Sequence, residues 1–486
     1  MVYASQYEHG KYLHHSMNNL YVILFINTFV LCLSYARRPF FFLFVDPLDE
    51  HDNFSEFYDR CHDYEIEVLK IYCVKTSKSI LNGINDPDDL EYQRIMQQTY
   101  GYYDSMKEYV KESLSINQPV DDEFINKYCL GVICESDTGL RTAEIIASEL
   151  KLKSSNGINE SRRDKYLMMN SISEYNRIRQ ILSSDIEEVK QFIRHLPKKY
   201  PLVVKPPRGS ASVGVFKINN EGELEDKFNR CINISPGYAN LSVSNAVLVQ
   251  EFIEGDEYVV DTVSCNKEHK ICAIWKYDKR QVSDDSPFVY YSTELIHDKS
   301  SEIEKMTEIE DFCLHLLDNL NVSFGPCHIE VKHDGRPILI EANVNRFHGQ
   351  NVVTIENMCY GHNQIAMTRD AYVANSESPF AKEALAKWNN VPRRPHAIAR
   401  CAARIVHLVS ENEVVLKKDA SYDDIFKLPT LLRYASAYEG IAGETVRRTI
   451  DLSTNAGYAL LVHPSKIDVD RDYWELIKLQ KALYKT

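Results

Sequence analysis

The sequence lacks several patterns that would identify whole classes of protein. Glycine and proline are scarce, at 18 and 17 of 486 residues, which excludes collagen-like and low-complexity chains. There is no surplus of basic residues, because 56 lysines and arginines face 70 acidic residues and leave a net charge of −14. We therefore expect no nucleic-acid partner. The twelve cysteines form no CxxC pair and no His/Cys metal spacing, so we expect reduced thiols packed in a core.

One apolar run is present near the start, and its role is left open. Residues 20–36 read LYVILFINTFVLCLSYA, and Arg37 and Arg38 follow. The run is short for a membrane-spanning helix, which needs about 20 apolar residues, and only Lys11 and several histidines supply the basic start of a signal peptide. Residues 1–37 are therefore either a signal or membrane anchor, or a docked or dispensable extension. In both cases we expect the body of the protein to be cytoplasmic, with membrane contact only through residues 20–36.

Beyond residue 38 the sequence predicts α/β and α+β architecture. Apolar runs alternate with helical stretches up to about residue 150, which is typical of a parallel α/β layer. After residue 195 short strands follow one another, which predicts an antiparallel sheet region. A Pro/Arg-rich stretch at 391–395 marks the start of a C-terminal α+β lobe, 391–486. The predicted elements are strands at 40–45, 67–74 and 130–134 with helices at 53–64 and 140–150, then strands at 202–205, 215–218, 247–253, 258–264, 271–277, 328–332 and 338–343 with a helix at 302–320.

A lysine and a glycine loop stand between two apolar strands at residues 201–216, PLVVKPPRGSASVGVF. Lys205 ends the first strand, and glycines at 209 and 214 allow the backbone of the loop to approach a phosphate closely. Val215 and Phe216 stand where a P-loop requires Lys-Ser/Thr, which excludes a P-loop NTPase. The pattern indicates a phosphate-binding hairpin, with a purely structural hairpin as the alternative.

A second segment, residues 247–260, reads VLVQEFIEGDEYVV. An adenine needs an apolar slot with backbone donors and acceptors at its edge, and a ribose needs a carboxylate for its hydroxyls. The end of the strand at residues 250–253 and the carboxylate of Glu257 supply these groups. A plain acidic turn is the alternative interpretation.

The third segment is a hairpin that carries paired carboxylates. HIEVK (328–332) and ILIEAN (338–343) flank Asp334-Gly335, a strong hairpin signal. A two-residue loop would place Glu330 opposite Leu339, with Glu341 as its diagonal neighbour about 7–8 Å away. Two such oxygen ligands, with Asn343 on the same face, suit Mg²⁺. A solvated sheet face is the alternative.

In this order, the lysine before a glycine hairpin, the strand–GxE segment and the Glu…Glu-x-Asn hairpin resemble the ATP-grasp superfamily of carboxylate–amine ligases. The segment SRRDKY (161–166) is similar to the one that carries the first ATP lysine of that superfamily. Residues 257–264, 275–280 and 451–463 look most like the L-amino acid ligases, which form dipeptides. The resemblance covers nearly everything from residue 38 onwards. It makes residues 38–150 the domain before the grasp, 151–390 the two-lobed ATP-grasp domain, and 391–486 the lobe that completes the ligase.

The resemblance implies roles for the matching residues. ATP would be held by Lys165 and Lys205, by a lid that contains Arg208, Gly209, Ser210 and Gly214, by the adenine-binding segment Glu251, Phe252 and Ile253, and by Glu257 at the ribose. Mg²⁺ or Mn²⁺ would be held by Glu330, Glu341 and Asn343. The superfamily usually places an arginine two residues after that asparagine, but here Asn345 stands there and Arg346 follows. Arg346, and after it Arg280, are the candidates that stabilise developing negative charge, and Asp261, Trp275, Tyr277, His348 and Gly349 are the candidates that meet substrate.

The expected function is ATP- and Mg-dependent ligation of a carboxylate, such as that of an amino acid, to an amine, with release of ADP and phosphate. The alternatives are an ATP-grasp kinase or a carboxylase-type enzyme acting on a small metabolite; a non-catalytic ATP sensor ranks last, because both metal carboxylates are retained. The expected partners are a small-molecule carboxylate and an amine, and a homodimer is left open. The sequence does not fix the identity of either substrate.

Overall fold

Three sheets and a short ribbon form in the part of the chain that the computed structural model describes, which is 40–47, 52–71, 103–117, 119–135, 139–209, 214–233, 246–281, 288–297, 303–349, 351–394, 399–450 and 454–485. The predictions for residues 1–37 lie outside this part. Among the described helices, none has the length and apolar character needed to cross a bilayer. No disulfide joins the ten cysteines that are described, and nine of them are buried, as expected of thiols packed in a core.

The first sheet is the predicted parallel layer, with strand order β2-β1-β3. Its central strand β1 is buried at every position, because helices and neighbouring elements cover both faces. Asp121 caps the helix before β3, because its side chain accepts a hydrogen bond from the backbone N–H of Phe124. The elements are β1 (Phe41–Val45), α1 (Asp52–His62), β2 (Glu67–Ile71), α2 (Tyr103–Ser113), α3 (Asp122–Tyr128), β3 (Cys129–Cys134) and α4 (Leu140–Glu149).

The second sheet has four antiparallel strands in the order β4-β7-β5-β6. The sequence predicted β5, β6 and β7 but not the short strand β4. Asp164 and Asp185 begin the helices α5 and α6, each by accepting hydrogen bonds from the first turn. The elements are α5 (Lys165–Asn170), β4 (Gln180–Ser183), α6 (Ile186–Arg194), β5 (Leu202–Lys205), β6 (Phe216–Ile218), α7 (Leu224–Ile232) and β7 (Val247–Glu251).

The third sheet has eight antiparallel strands in the order β12-β11-β8-β9-β10-β13-β17-β15, of which the last three in this order are β13 (Ala402–His407), β17 (Gly457–His463) and β15 (Leu431–Ser436). Alternate residues of β8 enter two different cores: Val259 packs with Phe42 and Trp275, whereas Tyr258 and Val260 pack with the helix α8. This two-sided burial explains why Tyr258, Val259 and Val260 are apolar in succession and do not alternate with polar residues. The elements are β8 (Asp256–Cys265), β9 (Glu268–Gln281), β10 (Phe288–Leu295), α8 (Ile303–Asn319), β11 (Phe324–His333) and β12 (Pro337–Val344).

The last part of the chain adds to the same sheet. Strands β13, β17 and β15 continue its order beyond β10, and α12 packs on β13 and β17. The elements are α9 (Val352–Tyr360), α10 (Gln364–Ala374), α11 (Ala381–Asn390), β13 (Ala402–His407), β14 (Val414–Val415), β15 (Leu431–Ser436), β16 (Thr445–Val446), β17 (Gly457–His463) and α12 (Lys466–Ala482). The ribbon is formed by β14 and β16.

The register of the β11–β12 hairpin differs from the prediction. His333 pairs with Pro337, so the loop has three residues, and Gly335 takes the left-handed φ of 69° that this loop requires. A bulge between Glu330 and Val331 shifts the pairing by one more position. Glu330 therefore lies directly opposite Glu341 and not Leu339, and the expected diagonal arrangement of the two carboxylates is wrong.

Candidate functional site

A cavity of about 350 Å³ lies between the four-stranded sheet and the eight-stranded sheet. Four lysines and six acidic residues line it, together with an apolar group at one end. The charged set is Lys165, Lys205, Lys279, Lys332, Glu251, Asp256, Glu257, Asp278, Glu330 and Glu341, and the apolar and aromatic set includes Ile178, Val203, Phe252, Ile253, Tyr277, Phe288, Tyr290 and Ile340. The cavity brings together all three motifs that the sequence singled out.

The two hairpin carboxylates meet lysines inside the cavity. Glu341 accepts a hydrogen bond of 2.6 Å from Lys165 Nζ. Glu330 Oε2 lies 3.7 Å from Lys279 Nζ. Burial alone would raise the pKa of Glu330, but the ammonium of Lys279 and the ring of His328 outweigh it and hold that pKa well below its usual range. Glu330 is therefore ionised, and each of the two predicted metal carboxylates faces a lysine ammonium.

Lys279 is the functional residue that sequence reasoning missed. Its ammonium forms ion pairs with Glu257 and Glu330, and it lies 4.5 Å from the ring centroids of both Tyr277 and Tyr290. Burial would lower its pKa, but the two carboxylates raise it well above the ordinary value. The signal was available: the predicted strand stopped at residue 277, whereas β9 runs on to Gln281, and strand alternation places Lys279 on the face of Tyr277.

The two predicted ATP lysines lie on the same side of the cavity. Lys165 is the first residue of α5, where its Nζ also donates to the Gly209 carbonyl at 2.8 Å. Lys205 ends β5 and is buried. Burial, reinforced by the nearby charge of Lys165, lowers the pKa of Lys205 to about 8. A polyanion that enters the cavity would relieve this charge repulsion.

The apolar end of the cavity is built around the segment after β7. Phe252 stacks with Phe288 at a centroid distance of 6.3 Å, and Lys217 and Lys332 lie over its ring. The backbone N–H of Phe252 donates to the Pro201 carbonyl, and Lys332 Nζ donates to the Ile253 carbonyl at 3.0 Å.

The remaining polar groups at this end are paired. Glu251 forms an ion pair with Arg179, and Glu257 forms one with Lys279. A flat apolar ring with a polar edge fits such a wall, with the Glu257 carboxylate within the same cavity.

The predicted lid is only partly described. Arg208 is held by Glu160 at 2.8 Å and by Asp164 at 3.4 Å and does not line the cavity. Gly209 lines the cavity, and Gly214 has the left-handed φ of 74° expected of a glycine in such a loop. Ser210, with residues 211–213, lies outside the described residues.

Three of the predicted substrate residues form one buried cluster. Asp261 accepts hydrogen bonds from Trp275 Nε1 at 2.8 Å and from His348 Nδ1 at 2.7 Å, and His328 Nδ1 lies 3.3 Å away. Tyr277 Oη is joined to His348 Nε2 at 3.0 Å, and of this set only Tyr277 lines the cavity.

The protonation of this cluster follows from its partners. Burial would lower the pKa of His328, but Asp261 and Glu330 raise it to about 9, so both ring nitrogens of His328 carry protons. Burial and the charge of His328 lower the pKa of His348 despite Asp261, so His348 is neutral and accepts from Tyr277. Burial opposes ionisation of Asp261, yet the two imidazoles lower its pKa to about 2.

The predicted charge-stabilising arginines lie outside this cavity. Asn345 takes a left-handed φ of 68°, which turns the chain so that Arg346 bridges to Cys134 at the end of β3. The charge of Arg346 is close enough to affect the pKa of His348. Arg280 pairs with Asp278 and stacks on the ring of Tyr291, with its side chain 47% exposed.

Two further predicted residues are near the cavity without lining it. Asn343 follows Glu341 on the same face of β12 and pairs in register with His328. Gly349 is half-buried next to His348.

The residues present fit a divalent metal ion. Glu330 and Glu341 are cross-strand partners that face one cavity, and both are oxygen ligands of the kind Mg²⁺ prefers. In this structure the lysines 165 and 279 balance their charge. A metal bound there would take over that balance and leave the lysines to meet phosphate groups.

The fold and a family match identify the class of domain to which this cavity belongs. The two sheets that enclose this cavity form the ATP-grasp fold, and residues 198–354 match the family described as the ATP-grasp domain. The chain therefore contains an ATP-grasp domain, and the resemblance read from the sequence is confirmed.

Individual proteins of known function are similar to this chain in sequence. The chain is similar to dapdiamide A synthase of Enterobacter agglomerans, with 26% identity over 246 residues that cover 49% of this chain and 56% of that protein. The chain spans about half the length of the curated relatives it matches.

Solved structures share the fold over most of the chain. The L-amino acid ligase of Bacillus licheniformis has a TM-score of 0.64 at 16% identity and covers 93% of this chain and 99% of its own. The N5-carboxyaminoimidazole synthetase of Staphylococcus aureus, solved with ADP, has a TM-score of 0.55 at 10% identity and covers 90% and 97%.

Proposed function

We propose that this protein is an ATP- and Mg²⁺-dependent ligase that activates a carboxylate as an acyl phosphate and joins it to an amine, releasing ADP and phosphate. We further propose that the carboxylate belongs to an amino acid. The similarity to dapdiamide A synthase and to an L-amino acid ligase supports both statements.

The observation that carries the proposal is the charge arrangement of the cavity. Two cross-strand carboxylates, each paired with a lysine, face a third lysine whose pKa is lowered to about 8 by burial and by Lys165. A cavity with only lysines would suit any anion, and one with only carboxylates would suit any cation. Both sets together suit a metal–polyphosphate complex.

The chain's own residues supply positioning and charge neutralisation rather than a nucleophile. Lys165 and Lys205 would hold the phosphates, Glu257 the ribose, and Glu330 and Glu341 the metal, with Asn343 beside them. When bound, Mg²⁺ would offset the negative charge of the phosphates. The γ-phosphoryl group passes from ATP to the substrate carboxylate oxygen with loss of ADP. The neutral amine then attacks the acyl carbon, the C–O bond to the phosphate breaks, and the nitrogen loses a proton as the amide forms.

Charge on the acyl oxygen must be stabilised while the amine attacks. Arg346 is our candidate, because its positive charge is close enough to His348 to lower the pKa of that residue. Its backbone bridges to Cys134 at the end of the parallel layer. Arg280 is the second candidate. Because Arg280 is paired with Asp278, the end of the hairpin formed by β9 and β10 would have to move before Arg280 could reach the acyl oxygen. We further propose that Tyr277 and His348 lie beside the substrate.

The test incubates the full chain with Mg·ATP and a mixture of amino acids. We expect release of both ADP and phosphate and a new amide identified by mass spectrometry. Phosphorylated acceptor without free phosphate would identify a kinase instead, and turnover that depends on bicarbonate would identify a carboxylase-type enzyme.

The variants Glu330→Gln and Lys205→Ala should each abolish turnover while the fold remains intact. Glu308→Gln is a matched control. This glutamate of α8 pairs with His333 at the end of β11, but its side chain is 55% exposed and does not line the cavity. Near-normal turnover in either site variant would contradict the assignment.

A further inference from the structure

The buried cluster around Asp261 touches the cavity wall at two separate places. Strand pairing brings it together: Asp261 on β8 is the direct partner of His328 on β11, and Trp275 lies on β9 at the diagonal position. Two residues further along their strands, on the same faces, stand Glu330 and Tyr277, and both line the cavity.

Four hydrogen bonds connect these two wall residues through the protein interior. Starting from Tyr277 Oη, the chain runs to His348 Nε2 at 3.0 Å, and His348 Nδ1 donates to Asp261 Oδ2 at 2.7 Å. Asp261 Oδ1 lies 3.3 Å from His328 Nδ1, and His328 Nε2 lies 3.4 Å from Glu330 Oε1. Asp261 has no exposed surface, and His328 and His348 are 3% and 7% exposed.

Each imidazole uses both of its ring nitrogens, so neither ring can turn without breaking two hydrogen bonds. The third partner of Asp261, Trp275 Nε1, fixes the carboxylate between them. The backbone of His348 is anchored as well, because its carbonyl accepts from Asn53 and its N–H donates to Gln364. The position of Glu330 Oε1 therefore depends on bonds made as far away as Tyr277.

We propose that Asp261, His348 and His328 form a positioning relay that holds the metal-binding carboxylate of Glu330 in register with Tyr277. The relay rests on the proposed function, since it assigns a metal to Glu330. Its members are positioning residues: they orient Glu330 and Tyr277 and need not touch nucleotide or substrate. Outer partners of this kind tune the affinity of metal ligands, typically by tenfold to a hundredfold.

The same three groups, Asp261, His328 and His348, have ligand atoms within 4.8 Å of one another, a spacing that also suits a bound metal ion. Here hydrogen bonds satisfy each of the facing atoms, which favours the relay. Stoichiometric copurifying metal that persists in Glu330→Gln, and disappears in His348→Gln, would overturn the relay in favour of a structural metal.

A double-mutant cycle tests the relay. Tyr277→Phe removes the hydroxyl at one end, and His328→Asn removes the bond to Glu330 at the other, and the hydrogen bonds that join these two groups run through His348 and Asp261. The other route, from the ring of Tyr277 through Lys279 to Glu330, is retained in Tyr277→Phe because phenylalanine keeps the ring. The readout is the dissociation constant of Mn²⁺ in the presence of ADP, measured by electron paramagnetic resonance on the full chain.

For His328→Asn we expect Mn²⁺ binding about tenfold weaker, and for Tyr277→Phe about threefold weaker. If the two effects were independent, the double variant would bind Mn²⁺ about thirtyfold more weakly than wild type. We expect only about tenfold, because either change alone already breaks the chain of hydrogen bonds. His269→Asn is the matched control. This buried histidine of β9 is held by Ser264 of β8 and Asp318 of α8 and does not line the cavity, and its effect should multiply with that of Tyr277→Phe.

Fully multiplicative effects of Tyr277→Phe and His328→Asn would overturn the relay. If His328→Asn does not fold, His348→Gln replaces it, since glutamine keeps a partner for Tyr277 and loses the bond to Asp261. Failure of the wild-type chain to bind Mn²⁺ with ADP would instead overturn the proposed function, so the two failures are distinguishable.

Discussion

Substitution of Lys279 by methionine should lower stability without metal and at the same time strengthen metal binding. Methionine retains an apolar stem between the rings of Tyr277 and Tyr290 but removes the ammonium that faces Glu257 and Glu330. Glu257 then loses its ion-pair partner, and Glu330 keeps only the protonated ring of His328. If a metal ion and Lys279 compete for Glu330, the variant should bind the ion more tightly.

The size of both effects follows from the geometry. The side chains of Lys279, Glu257 and Glu330 are only 12%, 12% and 17% exposed, and removing one partner of a buried ion pair costs about 3–5 kcal/mol. Since the carboxylates face a water-accessible cavity, we expect about 3 kcal/mol. A hydrogen bond to a charged group contributes about 1.5–3 kcal/mol net, so Mg²⁺ affinity without nucleotide should rise roughly tenfold to a hundredfold.

Thermal unfolding and isothermal titration with Mg²⁺, both without nucleotide, measure the two effects on the full chain. Lys276→Met is the control. This lysine lies on the same strand as Lys279 and pairs with Asp256 of β8, with side chains 33% and 44% exposed. Its replacement should cost at most about 1 kcal/mol and leave Mg²⁺ affinity unchanged. Unchanged or weaker Mg²⁺ binding by Lys279→Met would refute the competition between lysine and metal.

Three further predictions follow from single contacts. Acetic anhydride at pH 8 should acylate Lys205 in preference to the exposed Lys190, because a pKa of about 8 leaves about half of Lys205 neutral whereas the pKa of Lys190 is raised by Glu187. Mass spectrometry should show that ATP suppresses the acylation of Lys205. Equal labelling with and without ATP would contradict the site. Gly255→Ala should destabilise the fold by about 3 kcal/mol or more, since φ is 97° and a Cβ would lie 2.2 Å from the His333 carbonyl oxygen, whereas Gly335→Ala, at φ 69° with open space, should cost about 1 kcal/mol by the same denaturation assay. Arg162→Met should lower the free energy of unfolding by about 3–5 kcal/mol, because Arg162 is buried against Glu144 and donates to the Leu320 carbonyl. Arg141 is 56% exposed, so Arg141→Met should change thermal stability little. Similar losses in both variants would contradict the buried pairing.

Local pattern was enough to predict the elements that build the site. The apolar runs before Lys205 and around Glu257, and the two strands that carry Glu330 and Glu341, all form where expected, because a run of buried residues dictates a strand whatever its neighbours are. The order of these motifs along the chain also identified the ATP-grasp fold. Short strands with weak patterns, such as β4, gave no comparable signal.

The register of the hairpin could not be predicted with the same security. The Asp334-Gly335 pair marks a turn, but the loop takes in Arg336 as well, and a bulge adds another shift. Each depends on how the hairpin packs into an eight-stranded sheet. One position of slip decides whether Glu330 meets Leu339 or Glu341, and hence how the two carboxylates approach each other.

The sequence by itself determined the chemical inventory of this protein: which lysines, carboxylates and glycines stand at strand ends, and in what order. Only the tertiary structure decided which charges meet, since Lys165 reaches Glu341 across 176 residues and His348 reaches Asp261 across 87. Such partners are chosen by strand order and burial. In a desolvated interior every charge must find a counter-charge, and the fold determines which one is near enough.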